Sequence, residues 1–410
     1  MGERDEVLRR QSTRTKFKNS DMDFALNWAL GVSQVIGMGP GEVLAAISTV
    51  RDGDPGSWRD SFSRQGEYLS HRANVFEREG NVRAAGHSAF GAAYARRFAL
   101  HFEDPRTPVW DTKVAEMELE FARAAAFWDV PIRSVEVPFE HGVLPGYYVE
   151  VDASPRPTVL MIGGGDTFRE DLFYYGGYPG WQRGYNMLMV DLPGQGATPA
   201  TGFTFRHDSS AAIGACIDWL ERHATSPDPR IVAYGLSGGG YFTAQAVAAD
   251  PRICAWVAST PITNMALLFE REMGAMLRAP GWLLNALTKL VGRANAILDI
   301  SLRKYAWQFG TADFAEVVAR VQAEAPPVRP EAIARPSLFL LGDGEATELR
   351  RQTEELAAVM QRRGYDVTIR RFAREEGDAH CQVTNLALAH LVVFDWLDHQ
   401  FKSNPSEPPA

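Results

Sequence analysis

The stretch 231–249, IVAYGLSGGGYFTAQAVAA, constrains this chain more than any other. A β-rich run feeds directly into Gly235-Leu236-Ser237-Gly238-Gly239 and then into an amphipathic helix. So abrupt a turn from strand to helix brings neighbouring backbone close. Glycines two before and two after Ser237 remove the β-carbons that would clash. The serine is left exposed on the rim of a sheet, where the amino end of a helix favours developing negative charge. The blander reading is a Gly-rich loop with an incidental serine. A dinucleotide fingerprint fits worse, because the glycine spacing fails and no phosphate-loop lysine follows.

The rest of the chain supplies a frame for such a turn. Its 410 residues allow two or three domains of roughly 100–200 residues each. Residues 1–20 read as a frayed tail and 21–131 as a helical amino-terminal domain, with apolar residues at three- and four-residue intervals and breaks at 52–56, 80 and 104–108. From Arg133 the pattern changes to eight candidate strands, at 133–139, 147–151, 158–162, 186–190, 230–234, 255–259, 337–341 and 367–372. Helical patterns at 209–223, 240–249, 348–363 and 383–401 separate or follow the later strands. This alternation predicts an α/β core over 132–260 and 331–405, with a mainly parallel sheet covered on both faces. Chemistry in such sheets sits at the carboxyl ends of the strands. The interval 261–330 reads as a helical cap insertion, whose Met265, Leu268, Phe269, Met273 and Met276 either line an apolar pocket or pack on the core.

Charge and composition exclude several functions. Lys plus Arg number 42 against 51 Asp plus Glu, a net charge of −9, so nucleic acid and anionic membranes are not expected partners. No stretch approaches the roughly 20 apolar residues of a membrane-spanning helix. Three widely spaced cysteines, Cys216, Cys254 and Cys381, support neither a disulfide framework nor a zinc knuckle. The first 20 residues mix acids with bases and lack an apolar segment, which predicts a cytoplasmic protein without a secretory signal. No histidine and acid cluster has metal-ligand spacing, so neither metal nor cofactor is expected.

A nucleophilic serine needs a base, and the base an orienting carboxylate, downstream in the order serine, acid, histidine. His380 is the base candidate, in the loop EEGDAH after the last strand. His390 and His399 lie inside a helix pattern, and His207 and His223 precede the serine. The acid is Glu345 or Asp343, both in the loop after the strand SLFLL, with Asp378 read as a brace. Oxyanion donors are expected from the amide of Gly238 and from Gly164 or Gly165 in the GGGD loop at 163–166. Glu170, Tyr174 and Tyr175 follow that loop and are candidates for positioning a substrate carbonyl or enol, with structural roles as the alternative. Cys381 reads as packing.

Taken together, GLSGG, the GGGD loop, the DLPGQG run at 191–196, the GDGE loop and the tail EEGDAHCQVTNLALAHLVVFDWLD resemble one group of α/β-hydrolases. That group contains 2,6-dihydroxypseudooxynicotine hydrolase, the fungal pigment polyketide-shortening hydrolases and the fermentation-respiration switch protein. The resemblance covers nearly the whole chain, including the helical front. It implies the α/β-hydrolase fold with a helical N-terminal domain and a helical cap insertion. It also implies Ser237 as nucleophile, His380 as base, and an acid three residues after the loop glycine, which favours Glu345. Substrate contacts at Asp166 and Glu170 match only loosely, and the group's habit implies a homodimer. The expected function is hydrolysis of a C–C bond beside a carbonyl, or of an ester, in a bulky small molecule of secondary metabolism. An acyltransferase or cyclase working on a polyketide-like chain, and a noncatalytic binding protein, are the alternatives.

Overall fold

The computed structural model describes residues 10–128, 130–274, 277 and 279–402. Residues 1–9 of the expected tail, Met276 and residues 403–405 of the expected core lie outside these. The chain divides into two compact units, one built from the described residues of 1–12, 132–274 and 320–410, the other from 13–131 and 275–319.

The first unit holds one eight-stranded sheet: β1 (Ile132–Phe139), β2 (Gly142–Val149), β3 (Thr158–Ile162), β4 (Asn186–Val190), β5 (Ile231–Leu236), β6 (Ile253–Ser259), β7 (Ser337–Gly342) and β8 (Val367–Phe372). Their order is β1-β2-β4-β3-β5-β6-β7-β8. Only the β1–β2 and β2–β4 pairs are antiparallel. Strands β3, β4, β5 and β7 are buried along their whole length, as apolar runs in a sheet covered on both faces must be. The helices of this unit include α6 (Ser209–His223), α7 (Gly238–Ala249), α8 (Met265–Met273), α12 (Thr347–Arg362) and α13 (Leu386–Lys402). Between β3 and β4 the helical stretch 169–182 packs its glycines on methionines: a β-carbon at Gly176, Gly177 or Gly180 would overlap Met161, Met189 or Met187 respectively.

Sheet order decides what meets. Strands β3, β5, β6, β7 and β8 are consecutive and parallel, so the loops that follow them leave the same edge. The residue after β5 therefore has the β3 loop on one side and the β6 loop on the other, with the β7 and β8 loops beyond.

The second unit is helical. It comprises α1 (Ser20–Val32), α2 (Pro40–Ile47), α3 (Pro55–Arg78), α4 (Val82–His101) and α5 (Val109–Phe127), joined by α9 (Gly281–Ala294) and α10 (Ala296–Gln308); α11 (Phe314–Glu324) straddles the boundary. Asparagine and aspartate side chains cap helix starts, Asn19 accepting from the Met22 amide and Asp54 from those of Gly56 and Ser57. The core centres on fully buried Trp58, whose Nε1 donates to Phe98 O at 2.7 Å and whose ring lies 4.6 Å from that of Phe62.

Two boundaries depart from the sequence expectation. The segment expected as a cap over 261–330 divides, and its middle belongs with the amino-terminal helices: Trp307 meets Trp110 at 5.6 Å, Arg303 pairs with Asp104 at 2.9 Å and Lys304 donates to His101 O at 2.8 Å. The described part of the expected tail is not frayed. The Asp23 carboxylate accepts from the amides of Thr15, Lys16 and Phe17, and the Phe17 ring is buried. No helix among the described residues is long and apolar enough to cross a membrane.

Candidate active site

Strand β5 ends at Leu236, and α7 begins at Gly238, leaving Ser237 alone to make the turn at φ 53°, ψ −116°. A non-glycine residue held there costs about 1–3 kcal/mol, a strain that surrounding structure must impose. The imposition is visible. A β-carbon on Gly239 would overlap the Ile162 carbonyl and come within 2.6 Å of Gly163 O, and one on Gly235 would overlap Gly239 O. The Ser237 amide donates to Ser259 O at 2.8 Å, which ties the turn to the end of β6.

Three loops converge on this serine. His380, after β8, places Nε2 2.9 Å from Ser237 Oγ and Nδ1 2.8 Å from Glu345 Oε2. The Glu345 side chain is 0% exposed and that of His380 13%. An ionised carboxylate only accepts, so in the neutral imidazole beside it Nδ1 carries the proton and Nε2 is left to accept from the serine hydroxyl. Burial by itself disfavours the imidazolium. Neighbouring Cys381 and Glu345 outweigh it, and the histidine pKa stands well above its ordinary value.

Of the two acid candidates, the structure brings Glu345 to the histidine. Asp343 is exposed, and its amide donates to Phe372 O at 3.0 Å. Asp378 links loops: its carbonyl accepts from the Gly344 amide at 3.1 Å and its carboxylate from the Ser12 amide at 3.3 Å. His390 is packed inside α13, where burial pushes its pKa down to about 4. Burial likewise pushes the thiols of Cys216 and Cys254 up to about 12 and about 11, far from reactive thiolates.

The loop after β3 abuts the serine. A β-carbon on Gly164 would lie 3.0 Å from Ser237 Cβ and 3.5 Å from its Oγ, and one on Gly238 would lie 3.7 Å from the Gly165 nitrogen. Gln195, buried in the DLPGQG loop, was not singled out from sequence. Its Nε2 donates to the carbonyls of Gly163 and, at 3.3 Å, Gly164, while its Oε1 accepts from the Leu192 amide at 2.9 Å. Thr167 Oγ1 also donates to Gly164 O at 3.3 Å. In a trans peptide the N–H points opposite to the C=O, so anchoring these carbonyls turns the amides of Gly164 and Gly165 the other way.

The expected substrate-binding residues are mostly engaged with the protein. Asp166 is half-buried. Glu170 is fully buried, accepts from Tyr147 OH at 2.8 Å and lies 3.2 Å from Arg169 Nε. Tyr174 is fully buried and donates its hydroxyl to Asp171 at 3.0 Å, with the Tyr175 ring 5.0 Å away. The side chains of Glu170 and Tyr174 are thus hydrogen-bonded within the protein, and Tyr175 packs on Tyr174. Hydrogen-bonded in series, Glu345, His380 and Ser237 can carry a proton away from the serine hydroxyl.

Residues 46–308 match the family model described as esterase FrsA-like. The chain belongs to the FrsA-like esterase family. Its family segment takes in Gly164 and Ser237 and stops short of Glu345 and His380. Among its relatives, hydrolase ORFZ of Pyricularia oryzae is 31% identical over 72% of this chain and 74% of its own. The 20-hydroxy-prefusarin hydrolase FUS2 of Gibberella moniliformis is 29% identical over 72% and 73%. The structure of 2,6-dihydroxy-pseudo-oxynicotine hydrolase has the same fold, with a TM-score of 0.69 and 18% identity over 93% of this chain and 98% of that one. The chain is therefore a hydrolase of the α/β-hydrolase fold, related to fungal hydrolases.

Proposed function

We propose that the protein is a serine hydrolase that forms an acyl-enzyme on a bulky, carbonyl-containing small molecule, cleaving an ester or a C–C bond beside a ketone. One observation carries this reading: Ser237 Oγ, His380 and Glu345 stand in series at 2.9 and 2.8 Å on a strained turn.

His380 Nε2 takes the hydroxyl proton as Ser237 Oγ attacks the carbonyl carbon. The oxyanion faces the amide of Gly238, at the start of the twelve-residue α7, and an amide of the Gly164–Gly165 peptide region. Collapse breaks the scissile bond. His380 returns the proton to an alkoxide or to an enolate carbon, according to the substrate. Water, deprotonated by the same nitrogen, then attacks the acyl carbon and regenerates Ser237. Kinship with a 20-hydroxy-prefusarin hydrolase supports a small molecule as the substrate.

A fluorophosphonate probe is expected to label the wild-type protein, and Ser237→Ala and His380→Ala are expected to abolish labelling. An unlabelled wild-type protein, or equal labelling of Ser237→Ala, sinks the proposal. Product analysis on β-diketones against matched esters then identifies the bond.

A further inference from the structure

Thr260, the first residue after β6, occupies a conformation that its side chain disfavours. Its φ is 51°, the left-handed region, which a β-branched residue adopts only as an outlier. Glycine enters that region without penalty. A threonine retained there needs a reason in its side chain, and its hydroxyl provides one by donating to Glu345 Oε1. The two oxygens of this carboxylate are thereby divided, Oε1 to Thr260 and Oε2 to His380 Nδ1. Both Thr260 and Glu345 are fully buried, so bulk water does not stand in for the hydroxyl.

Its neighbours extend the connection. Thr260's own amide donates to Leu340 O at 2.9 Å, which fixes the inverted residue against β7. Ser259 O accepts from the Ser237 amide at 2.8 Å and lies 3.7 Å from Cys381 Sγ, while Ser259 Oγ donates to Gln382 Oε1. Cys381 and Gln382, which follow His380, both sit at φ 52°. Ser259, the last residue of β6, and Thr260 after it therefore touch the nucleophile turn, the acid and the loop of the base.

We propose that Thr260 is a positioning residue that fixes the Glu345 carboxylate for His380, with Ser259 locking the flanking turns to the same strand end. This rests on the serine-hydrolase reading above. Losing the hydroxyl frees the carboxylate to rotate about its last bond, and the imidazole loses its fixed tautomer and orientation. Substrate binding does not pass through this contact, so turnover falls while affinity stays.

The test uses the full chain and a fluorophosphonate probe, separating the maximal inactivation rate from the half-saturating concentration. Thr260→Val keeps the shape and removes the hydroxyl; it is expected to lower the maximal rate roughly 10- to 100-fold at an unchanged half-saturating concentration, the scale of losing a partner that orients a reacting group. Thr260→Ser restores the hydroxyl and is expected to recover most of the rate. Thr260→Gly relieves the strain without a hydroxyl, so it is expected to fold and to react as slowly as the valine variant. That variant keeps the test decisive if valine does not fold. Wild-type rates in both hydroxyl-free variants overturn the inference, as does a serine variant no faster than valine. A wild-type protein that the probe never labels overturns the serine-hydrolase reading itself, and this inference with it.

Discussion

The carbonyl of Arg10 accepts the backbone N–H of His380 at 2.6 Å. Two residues on, the Ser12 amide donates to the Asp378 carboxylate, and Gly344 lies so close that a β-carbon on it would come within 2.7 Å of the Ser12 nitrogen and 2.8 Å of Asp378 O. Residues 10–12 therefore lie across the loops that carry the acid and the base. Both of those obstructing atoms are backbone, which yields only by moving a loop. Gly344→Ala is expected to destabilise the protein by about 1–3 kcal/mol, the usual cost of overpacking, and to slow fluorophosphonate labelling. Urea unfolding and the labelling rate check this; unchanged values in both would show that the close approach does not matter.

The choice between acids makes a sharper prediction, because pH separates them. Cys381 and the Glu345 carboxylate together hold the His380 pKa above its ordinary value, against burial, so the acidic limb of kcat/KM is expected above about pH 6.5. Glu345→Gln removes one of the two contributions that raise the pKa, so the limb moves to lower pH. The same change leaves the wrong tautomer, and kcat is expected to fall by roughly three to four orders of magnitude. Asp343→Asn, at an exposed side chain, is expected to leave both limb and rate near wild type. A limb that moves with Asp343 instead reassigns the acid.

Much of this site was legible because its frame is local. Strands β3, β4 and β8 fall where the sequence pattern places them, and Ser237, Glu345 and His380 each follow a strand closely. Helix α7 starts at Gly238 rather than Gly240, because a glycine run that reads as loop is what close contact with β3 demands. Strand β2 begins five residues earlier than the pattern suggests, at Gly142 instead of 147: Pro145 and Gly146 read as breakers, yet a β-carbon at Gly146 would lie 2.8 Å from Met189 O on the paired strand. Thr260 and Gln195 were not legible. Their roles arise from which strands are neighbours, β5 beside β3 and β6, and nothing near them in the chain encodes that order. The apolar stripes of α9 and α10 announced burial without naming their partner, which is why 275–319 was expected in a separate cap.

Glycines around the nucleophile turn are expected to respond in a graded way. Gly239→Ala places a methyl against two carbonyl oxygens of the β3 end, and a large loss of stability follows. Gly164→Ala meets the Ser237 side chain at 3.0 Å, tight but not impossible, so the variant folds and reacts slowly. Gly214→Ala, inside α6 with nothing within 4 Å of the added carbon, is expected to stabilise by about 0.5–1 kcal/mol through helix propensity. Melting temperatures paired with labelling rates test the order; a Gly164→Ala variant as fast as wild type would contradict the placement of the loop against the serine.

The Gln195 side-chain amide makes a pair of substitutions informative. Nε2 donates to the carbonyls of Gly163 and Gly164 from a buried position. Gln195→Met keeps the volume and removes the donor, leaving buried carbonyls short of a partner at a cost of about 1–3 kcal/mol each where no other donor serves. Thr167 still reaches Gly164 O, so the loss falls mainly on Gly163. Gln195→Glu is worse, because an ionised carboxylate would face two carbonyl oxygens and must either take up a proton or push the loop away. The expected order of stability is wild type, then methionine, then glutamate at neutral pH. The glutamate variant regains stability as the pH falls and its carboxyl becomes a donor again. If these carbonyls set the direction of the Gly164 and Gly165 amides, labelling slows in the same order. Denaturation at two pH values with matched labelling rates would decide the matter, and a glutamate variant insensitive to pH would show that Gln195 does not hold the loop.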